Sequence, residues 1–245
     1  MTRFKAVIEY DGTDFHGFQR QASGRTVQGE IEAALARMNA GRAVTVYGAG
    51  RTDSGVHARG QVVAFDLAWR HGTRALLRAL NANLARDVAA RAVEQVADGF
   101  HPRFAARSRR YEYRIYNARI RSPAYERAAW HVWPPLDVDA MRAAARALVG
   151  EHDFASFGAA PDGKSNTVRT VYRAQWDVTE PLVVFEIAAN AFLYHMVRSI
   201  VGSLRQVGHG ELSQEQFTQR LAAADRSQSG PLAPPNGLTL VEVIF

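Results

Sequence analysis

The sequence predicts an α+β protein with two topologically similar halves that share a continuous antiparallel sheet flanked by helices. Short segments of strand-like alternation lie between segments of helical spacing, and the order strand–helix–strand recurs in both halves. With 245 residues, 47% of them hydrophobic, the chain can bury one large core or two packed ones. We expect the halves at residues 1–105 and 106–245, with an active-site cleft between them.

The first half opens with a strand over residues 4–10 and a turn at Asp11-Gly12. Apolar residues from Val27 onward recur at helical spacing, and Thr26 before them is a suitable N-cap. The other elements predicted for this half are strands at 44–47, 61–66 and 88–96 and a helix at 74–84.

The second half contains a strongly apolar helix. One face of this helix is formed by Leu193, Val197, Ile200, Leu204 and Val207. An earlier helix is predicted to open at Asp137 and to be closed by Gly150. The other elements predicted here are strands at 111–116, 168–178, 182–188 and 239–245, a helix at 214–223, and loops at 157–167 and 225–237.

Composition excludes several classes of protein. Cysteine is absent, so disulfides, thiolate catalysis and cysteine-ligated metal sites are excluded. No apolar run approaches the roughly 18 residues that a membrane-spanning helix needs. The N-terminus runs directly into a strand-like segment, which does not resemble a signal peptide. We therefore expect a cytoplasmic protein with no membrane partner.

Positive charge is concentrated in one stretch of this basic chain, whose formal net charge is +6. Residues 103–127, here called the arginine-rich segment, contain eight arginines against Glu112 and Glu126. Aromatic residues are interleaved with them, namely Phe104, Tyr111, Tyr113 and Tyr116. This pattern is typical of a surface that binds a polyanion with stackable bases. A solvated edge strand is the alternative interpretation.

The densest chemical signal is a glycine-rich stretch at residues 47–58. Gly48, Gly50 and Gly55 surround Arg51 and Asp53. The spacing GxGxxxxG differs from the dinucleotide-binding GxGxxG, and no Gly-Lys-Ser/Thr forms a P-loop. The residues alone leave two main interpretations open. They are a ligand-binding loop, and a plain Asp-Ser-Gly turn in which Asp53 caps its own backbone.

Residues 49–58, AGRTDSGVHA, resemble the catalytic signature of the TruA family of tRNA pseudouridine synthases. Further segments resemble the family's motifs in the same order over nearly the whole chain. They are 10–21 (YDGTDFHGFQRQ), 26–30 (TVQGE), 100–104 (FHPRF), 110–114 (RYEYR), 190–202 (NAFLYHMVRSIVG) and 235–240 (PNGLTL). Phe18, Ser54 and Ala85 depart from the residues usual in the family, which are tryptophan, alanine and proline.

This resemblance implies an isomerase that converts uridine to pseudouridine at positions 38, 39 and 40 of the tRNA anticodon stem-loop. The family works as a homodimer with one tRNA lying across both subunits, and the reaction requires no cofactor and no metal. It breaks the bond from ribose C1′ to N1 and re-forms it to C5 of the same base. The resemblance assigns the catalytic carboxylate to Asp53, whereas His57 is expected to be structural.

Four other residues receive roles from the same resemblance. Arg198 is the positive partner of Asp53, since an opposite charge offsets the desolvation of a buried carboxylate. Arg51 occupies the space that the flipped-out uridine leaves. Tyr111 stacks on the base, and its hydroxyl takes part in the late proton transfer. Leu240 lines the pocket as an apolar wall.

Two other functions remain as alternatives. A non-catalytic basic RNA-binding module would use the arginine-rich segment alone, but RNA binding does not require an acid at Asp53. A nucleotide-dependent enzyme would use the loop from Gly48 to Gly55. A zinc-dependent base deaminase is excluded, since its cysteine ligands are missing.

Overall fold

The computed structural model describes residues 1–160 and 166–245, and in these residues the chain forms ten strands and six α-helices. The strands are β1 (Thr2–Tyr10), β2 (Tyr47–Gly48), β3 (His57–Leu67), β4 (Val88–Gln95), β5 (Ser108–Asn117), β6 (Trp130–Val132), β7 (Gly150–Asp153), β8 (Val168–Thr179), β9 (Leu182–Ala189) and β10 (Leu238–Ile244). The helices are α1 (Val27–Met38), α2 (Gly72–Asn83), α3 (Pro102–Ala105), α4 (Val138–Ala145), α5 (Met196–Gly208) and α6 (Gln214–Ala222). The predicted α+β class, with a mostly antiparallel sheet flanked by helices, is confirmed.

The first of two compact units comprises Met1–Arg107 and the C-terminal segment Leu240–Phe245. Its strand order is β4-β1-β3-β10, and the short β2 pairs antiparallel with β3. Helix α2 packs against β4, and α1 packs against α2. Apolar side chains of the strands and helices form a fully buried core that includes Ile8, Ile31, Leu35, Phe65 and Leu80.

The second unit comprises Ser108–Thr239. Its strands lie in the antiparallel order β5-β9-β8-β7, and β6 pairs parallel with β5. Helices α4, α5 and α6 pack on one another. The fully buried side chains of this unit include Phe154, Phe157, Phe185, Ile200 and Phe217.

Helix α1 forms where the sequence predicts it. The side chain of its N-cap, Thr26, accepts a hydrogen bond from the backbone N–H of Gly29, which satisfies one of the donors at the helix start. Its apolar residues Val27, Ile31 and Leu35 are fully buried, as their spacing indicates. Periodicity and a capping side chain therefore suffice to locate this helix.

The strand predicted at residues 44–47 is wrong for residues 44–46, because only Tyr47 and Gly48 pair with β3. Side chains of α1 satisfy the backbone of Val46 instead. Its N–H donates to the Glu32 carboxylate at 3.2 Å, and its carbonyl accepts from the Gln28 amide at 3.1 Å. A segment whose backbone is bonded in this way has no need of a strand neighbour.

Helix α5 begins at Met196, later than the periodicity from Leu193 predicts. His195 before it has a φ of 65°, which an α-helix does not accommodate, and Tyr194 forms an isolated bridge with Ala159. Gly150 does not close a helix either, since α4 ends at Ala145 and Gly150 begins β7.

Three short elements, α3, β6 and β7, have no counterpart in the sequence prediction, because periodicity is weak over three or four residues. The predicted loop at 157–167 lies partly outside the described residues. Within the part of the chain that is described, no helix has the length and apolarity needed to cross a membrane.

Candidate active site

The loop that contains Asp53, residues 49–56 and here called the aspartate loop, connects β2 to β3 in the first unit. A tight turn closes it, since the N–H of Val56 donates to the carbonyl oxygen of Asp53 at 3.2 Å. Gly55 in this turn has a φ of +79°, a conformation that glycine adopts without strain. Asp53 is half-buried and Arg51 is exposed. A hydrogen bond between main-chain atoms thus closes the turn that contains Asp53.

The N-terminal segment 10–18 clamps the aspartate loop on both sides of Asp53. Before Asp53, the Thr52 hydroxyl lies 2.8 Å from the Tyr10 hydroxyl, and the Thr52 carbonyl accepts from the N–H of Phe18 at 3.1 Å. After Asp53, the Ser54 hydroxyl and the Gly55 N–H both donate to the carbonyl of Phe15. The two motifs found separately in the sequence therefore form one structure, and the position of Asp53 depends on both.

Two glycines allow this close approach. A Cβ atom on Gly12 would lie 2.0 Å from the carbonyl oxygen of Val56, and one on Gly17 would lie 2.8 Å from that of Thr52. Both distances are shorter than any real contact, and the obstructing atoms are backbone. Gly17 also has a φ of +87°. A side chain at either position would displace the aspartate loop.

A buried phenol lies beneath the aspartate loop. Burial raises the pKa of Tyr10 to about 12, against the smaller opposing effect of hydrogen bonds with Thr52 and Gln61. The Tyr10 hydroxyl is therefore neutral at physiological pH. Gln61, which is fully buried, also donates to the carbonyl of Gly50 at 3.0 Å. These groups fix the start of the loop from below.

His57 holds the turn of the N-terminal motif. Its Nδ1 atom accepts a hydrogen bond from the backbone N–H of Gly12 at 3.1 Å and lies 3.2 Å from a carboxylate oxygen of Asp11. Its Nε2 atom is buried without a hydrogen-bond partner among the described residues. These contacts agree with the structural role that the sequence predicts for His57.

Phe18, which replaces the family's usual tryptophan, is almost fully buried. Its ring lies against Gly48, where an added Cβ would lie 2.4 Å from a ring atom. The departure thus concerns packing beneath the aspartate loop and leaves the charged residues of the motif unchanged.

Arg198 lies in the first turn of α5, in the second unit. Its neighbours Met196, Val197, Ile200 and Val201 are buried, as their apolar character predicts, and Arg198 itself is half-buried. Its Nε–H donates to the carbonyl of Ala233 at 2.7 Å, and the N–H of Ala233 donates to the carbonyl of Arg198 at 3.1 Å. The fold therefore orients this guanidinium through a loop that is distant in sequence.

That loop, residues 229–234, lies directly on α5. A Cβ on Gly202 would lie 1.7 Å from the carbonyl oxygen of Pro231, so this helix position must be glycine. The Ser199 and Ser229 hydroxyls are 3.0 Å apart, and the Tyr113 hydroxyl donates to the carbonyl of Pro234 at 2.8 Å. The family motif in α5 therefore supplies both Arg198 and the small residue that lets the loop approach it.

Tyr111 lies in β5 of the second unit and is 8% exposed. Its ring meets that of Phe192 edge to face, with centroids 4.9 Å apart. Leu240, in β10, is fully buried and belongs to the first unit. The first unit thus contains Arg51, Asp53 and Leu240, whereas Tyr111 and Arg198 belong to the second.

The arginine-rich segment divides into two groups. Arg109, Arg110 and Arg114 in β5 are half-buried, and protein groups accept hydrogen bonds from them. Arg109 donates to the carbonyl of Asn190 at 2.8 Å, and Arg110 forms an ion pair with Glu186 at 2.9 Å. The exposed members are Arg103, Arg107, Arg119, Arg121 and Arg127. The arginines of the second group are the ones that a polyanion in solution can reach most readily.

Sequence reasoning did not identify Tyr10, Thr52 and Gln61 as supports of the aspartate loop. Gln61 could have been found from the sequence, because a polar residue beside the apolar run Val62 to Phe65 indicates a buried side chain that needs hydrogen-bond partners. Among residues 1–160 and 166–245, no cluster of three or more histidine, aspartate or glutamate side chains is arranged to hold a metal ion.

Comparison with known proteins gives a consistent result. A family model described as tRNA pseudouridine synthase matches residues 6–105 and 144–245. The chain is 44% identical to tRNA pseudouridine synthase A of Streptococcus suis (strain 05ZYH33) and to that of Streptococcus pneumoniae (strain 70585). It is 43% identical to that of Streptococcus pneumoniae (strain Hungary19A-6). Each similarity covers 100% of this chain and 99% of the relative.

Proposed function

The chain belongs to the tRNA pseudouridine synthase family, and we propose that Asp53 is its catalytic carboxylate, acting on uridines 38, 39 and 40 of the tRNA anticodon stem-loop. Its enzymatic activity is the isomerisation of uridine to pseudouridine in tRNA. The observation that supports the role of Asp53 most directly is the aspartate loop itself. Hydroxyl and main-chain hydrogen bonds hold the residues on both sides of this carboxylate.

Such rigidity suits the reaction, because a catalytic group must be held near the reacting atoms before the substrate arrives. In the isomerisation the C1′–N1 bond breaks, the base turns, and C1′ bonds to C5. The proton on C5 must then leave, and N1 gains a proton. Asp53 acts at the sugar or the base in the first part of this sequence, after the uridine has left its stack. Arg51, exposed two residues earlier, fills the vacated space.

Arg198 is the positively charged partner of Asp53. The guanidinium of Arg198 is held within the second unit, by its place in α5 and by its hydrogen bond to the carbonyl of Ala233. Leu240 forms an apolar wall for the base. The chain works as a homodimer in the cytoplasm, where its tRNA substrate is found.

Mapping of pseudouridine in tRNA after incubation with the purified protein tests this function directly. We expect new pseudouridine at positions 38, 39 or 40, and none when the Asp53→Asn variant replaces the protein. Pseudouridine only elsewhere in the tRNA would contradict the proposed target. Tight tRNA binding with no pseudouridine at all would instead favour the non-catalytic RNA-binding module.

Replacing Tyr111 by phenylalanine is expected to slow single-turnover conversion at least about a hundredfold, the lower end for a positioned acid–base group, with tRNA affinity nearly unchanged. The edge-to-face contact with Phe192 depends on the ring, which phenylalanine retains, so only the hydroxyl is lost. Single-turnover rates and filter-binding affinities provide the comparison.

The control for Tyr111→Phe is Tyr113→Phe, two residues along the same strand. The hydroxyl of Tyr113 donates to the carbonyl of Pro234, in the loop that holds Arg198, so its loss should lower stability by about 0.5–1.5 kcal/mol. The single-turnover rate should fall far less than in Tyr111→Phe. If Tyr111→Phe retains the full single-turnover rate, the hydroxyl of Tyr111 does not take part in the reaction.

Binding of tRNA should weaken steeply with salt, because arginines that contact phosphates release condensed counterions. Removing one such contact with Arg107→Gln should reduce the slope of log K against log salt by about 0.7–0.9. Arg107 is chosen because it is exposed, whereas Arg109 is bound to the carbonyl of Asn190. Arg78, exposed on α2, is the matched control, and Arg78→Gln should leave the slope unchanged. Equal slopes for both variants and the parent protein would place the RNA surface elsewhere.

A further inference from the structure

Three neighbouring aromatic rings on the first unit, two of them exposed and one half-buried, are not used by the proposed catalytic site. Phe104 in α3 is 79% exposed and Tyr47 in β2 is 38% exposed. The ring of His101 lies between them, with centroids 4.5 Å from Phe104 and 5.4 Å from Tyr47. We call these three residues the aromatic platform. A group of neighbouring exposed apolar rings marks an interaction surface more often than a single exposed side chain does.

The platform is held in place from below by Arg3. This side chain is only 9% exposed and donates to the carbonyl of Phe100 at 3.0 Å and to Asp66 at 2.7 Å. Its guanidinium carbon also lies 5.0 Å from the centroid of the Tyr47 ring. One buried cation therefore fixes both the ring of Tyr47 and the chain segment that leads to His101.

The other two rings are fixed by α3. The Nδ1 atom of His101 accepts a hydrogen bond from the N–H of Arg103 at 3.3 Å and so caps this short helix. The backbone N–H of Phe104 donates to the carbonyl of His101 at 3.2 Å. A surface that is ordered before binding loses little conformational entropy on binding.

The charge around the platform indicates what it binds. Arg103 and Arg107, on either side of Phe104 in the sequence, are exposed. Exposed rings beside cations are the combination that binds single-stranded nucleic acid, since the rings stack on bases while the cations contact phosphates.

We propose that the aromatic platform stacks an unpaired base of the tRNA substrate, with Phe104 as the main contact. This inference rests on the proposed function for the identity of the RNA. The stacked base is a second nucleotide, distinct from the uridine that reacts at Asp53, so the platform contributes to tRNA affinity and not to the chemical step.

The test measures tRNA affinity in the Asp53→Asn background, so that turnover does not complicate binding. Phe104→Ala should raise the Kd for tRNA about tenfold, as expected for the loss of one base–aromatic stack. Phe104→Leu retains apolar bulk without a π face and should weaken binding as much, whereas Phe104→Trp should retain the parent affinity. Tyr172→Ala removes an aromatic residue that is 56% exposed outside the platform and should leave the Kd unchanged.

A second measurement reports on stacking itself. In the Phe104→Trp variant, tRNA should quench the added indole fluorescence relative to the parent protein, whereas dextran sulfate, a polyanion without bases, should not. An unchanged Kd for Phe104→Ala, or equal quenching by dextran sulfate, overturns the proposal. A change in oligomeric state in Phe104→Ala with unaltered tRNA affinity also overturns it, since the platform would then bind protein. If Asp53→Asn proves active, the catalytic assignment fails while the Kd comparison still decides the role of the platform.

Discussion

Replacing Asp53 by asparagine is expected to abolish pseudouridine formation, with a loss of at least about a hundredfold even if the carboxylate acts only in proton transfer. The change is nearly isosteric. It removes the negative charge and replaces one acceptor oxygen by an NH2 donor. The fold should persist, because the turn at Asp53 is closed by its main-chain carbonyl and by bonds of Thr52, Ser54 and Gly55 to the N-terminal segment. Tritium release from tRNA labelled at uridine C5 measures the rate.

A matched control for Asp53→Asn is Asp11→Asn in the adjoining motif. The Asp11 carboxylate accepts from the N–H and the hydroxyl of Thr13, and asparagine retains an oxygen for these bonds. This variant should keep the wild-type rate within a few-fold, and filter binding should show unaltered tRNA affinity for both variants. Retention of a tenth of the wild-type rate by Asp53→Asn would remove the residue from the catalytic role.

The sequence predicted an element well where the residues that determine it lie within the element itself. Helix α1 has periodic apolar residues and a capping threonine, so its start at Val27 needed no tertiary information. The stretch before β2 has strand-like residues, but the backbone of Val46 is bonded to Glu32 and Gln28 of α1. Such a contact depends on how the helix packs, which local propensity does not contain.

For the candidate site, the sequence located the motifs but not their mutual support. The sequence predicted Asp53 from the resemblance of its motif, whereas the hydrogen bonds from the aspartate loop to Tyr10 and Phe15 join segments about forty residues apart. The sequence shows glycine at positions 12 and 17, but it does not show why a side chain is excluded there. The reason is the position of backbone atoms of the aspartate loop, which only the structure gives. The roles of Asp53, Arg198, Tyr111, Arg51 and Leu240 stay predictions.

The second large effect is expected for Arg198→Met. Methionine retains the length of the side chain but loses the Nε–H that binds the carbonyl of Ala233, a fully buried residue. That loss should lower the free energy of unfolding by about 1–3 kcal/mol. If Arg198 also pairs with Asp53, the loss of that pairing adds to the total, and pseudouridine formation falls with it.

Combining Arg198→Met with Asp53→Asn separates these two contributions. Asparagine carries no charge, so in its background the cost of Arg198→Met should shrink to the share of the Ala233 hydrogen bond, measured by chemical denaturation. Arg198→Lys is the companion variant: it retains the positive charge without the planar fork, so it should restore part of the stability but little of the activity. If the losses of unfolding free energy in Arg198→Met and Asp53→Asn add to that of the double variant within about 0.5 kcal/mol, the two residues are not coupled, because independent sites are additive. The partner of Asp53 would then have to be another cation, and the hydrogen bond to Ala233 would account for the whole stability effect of Arg198.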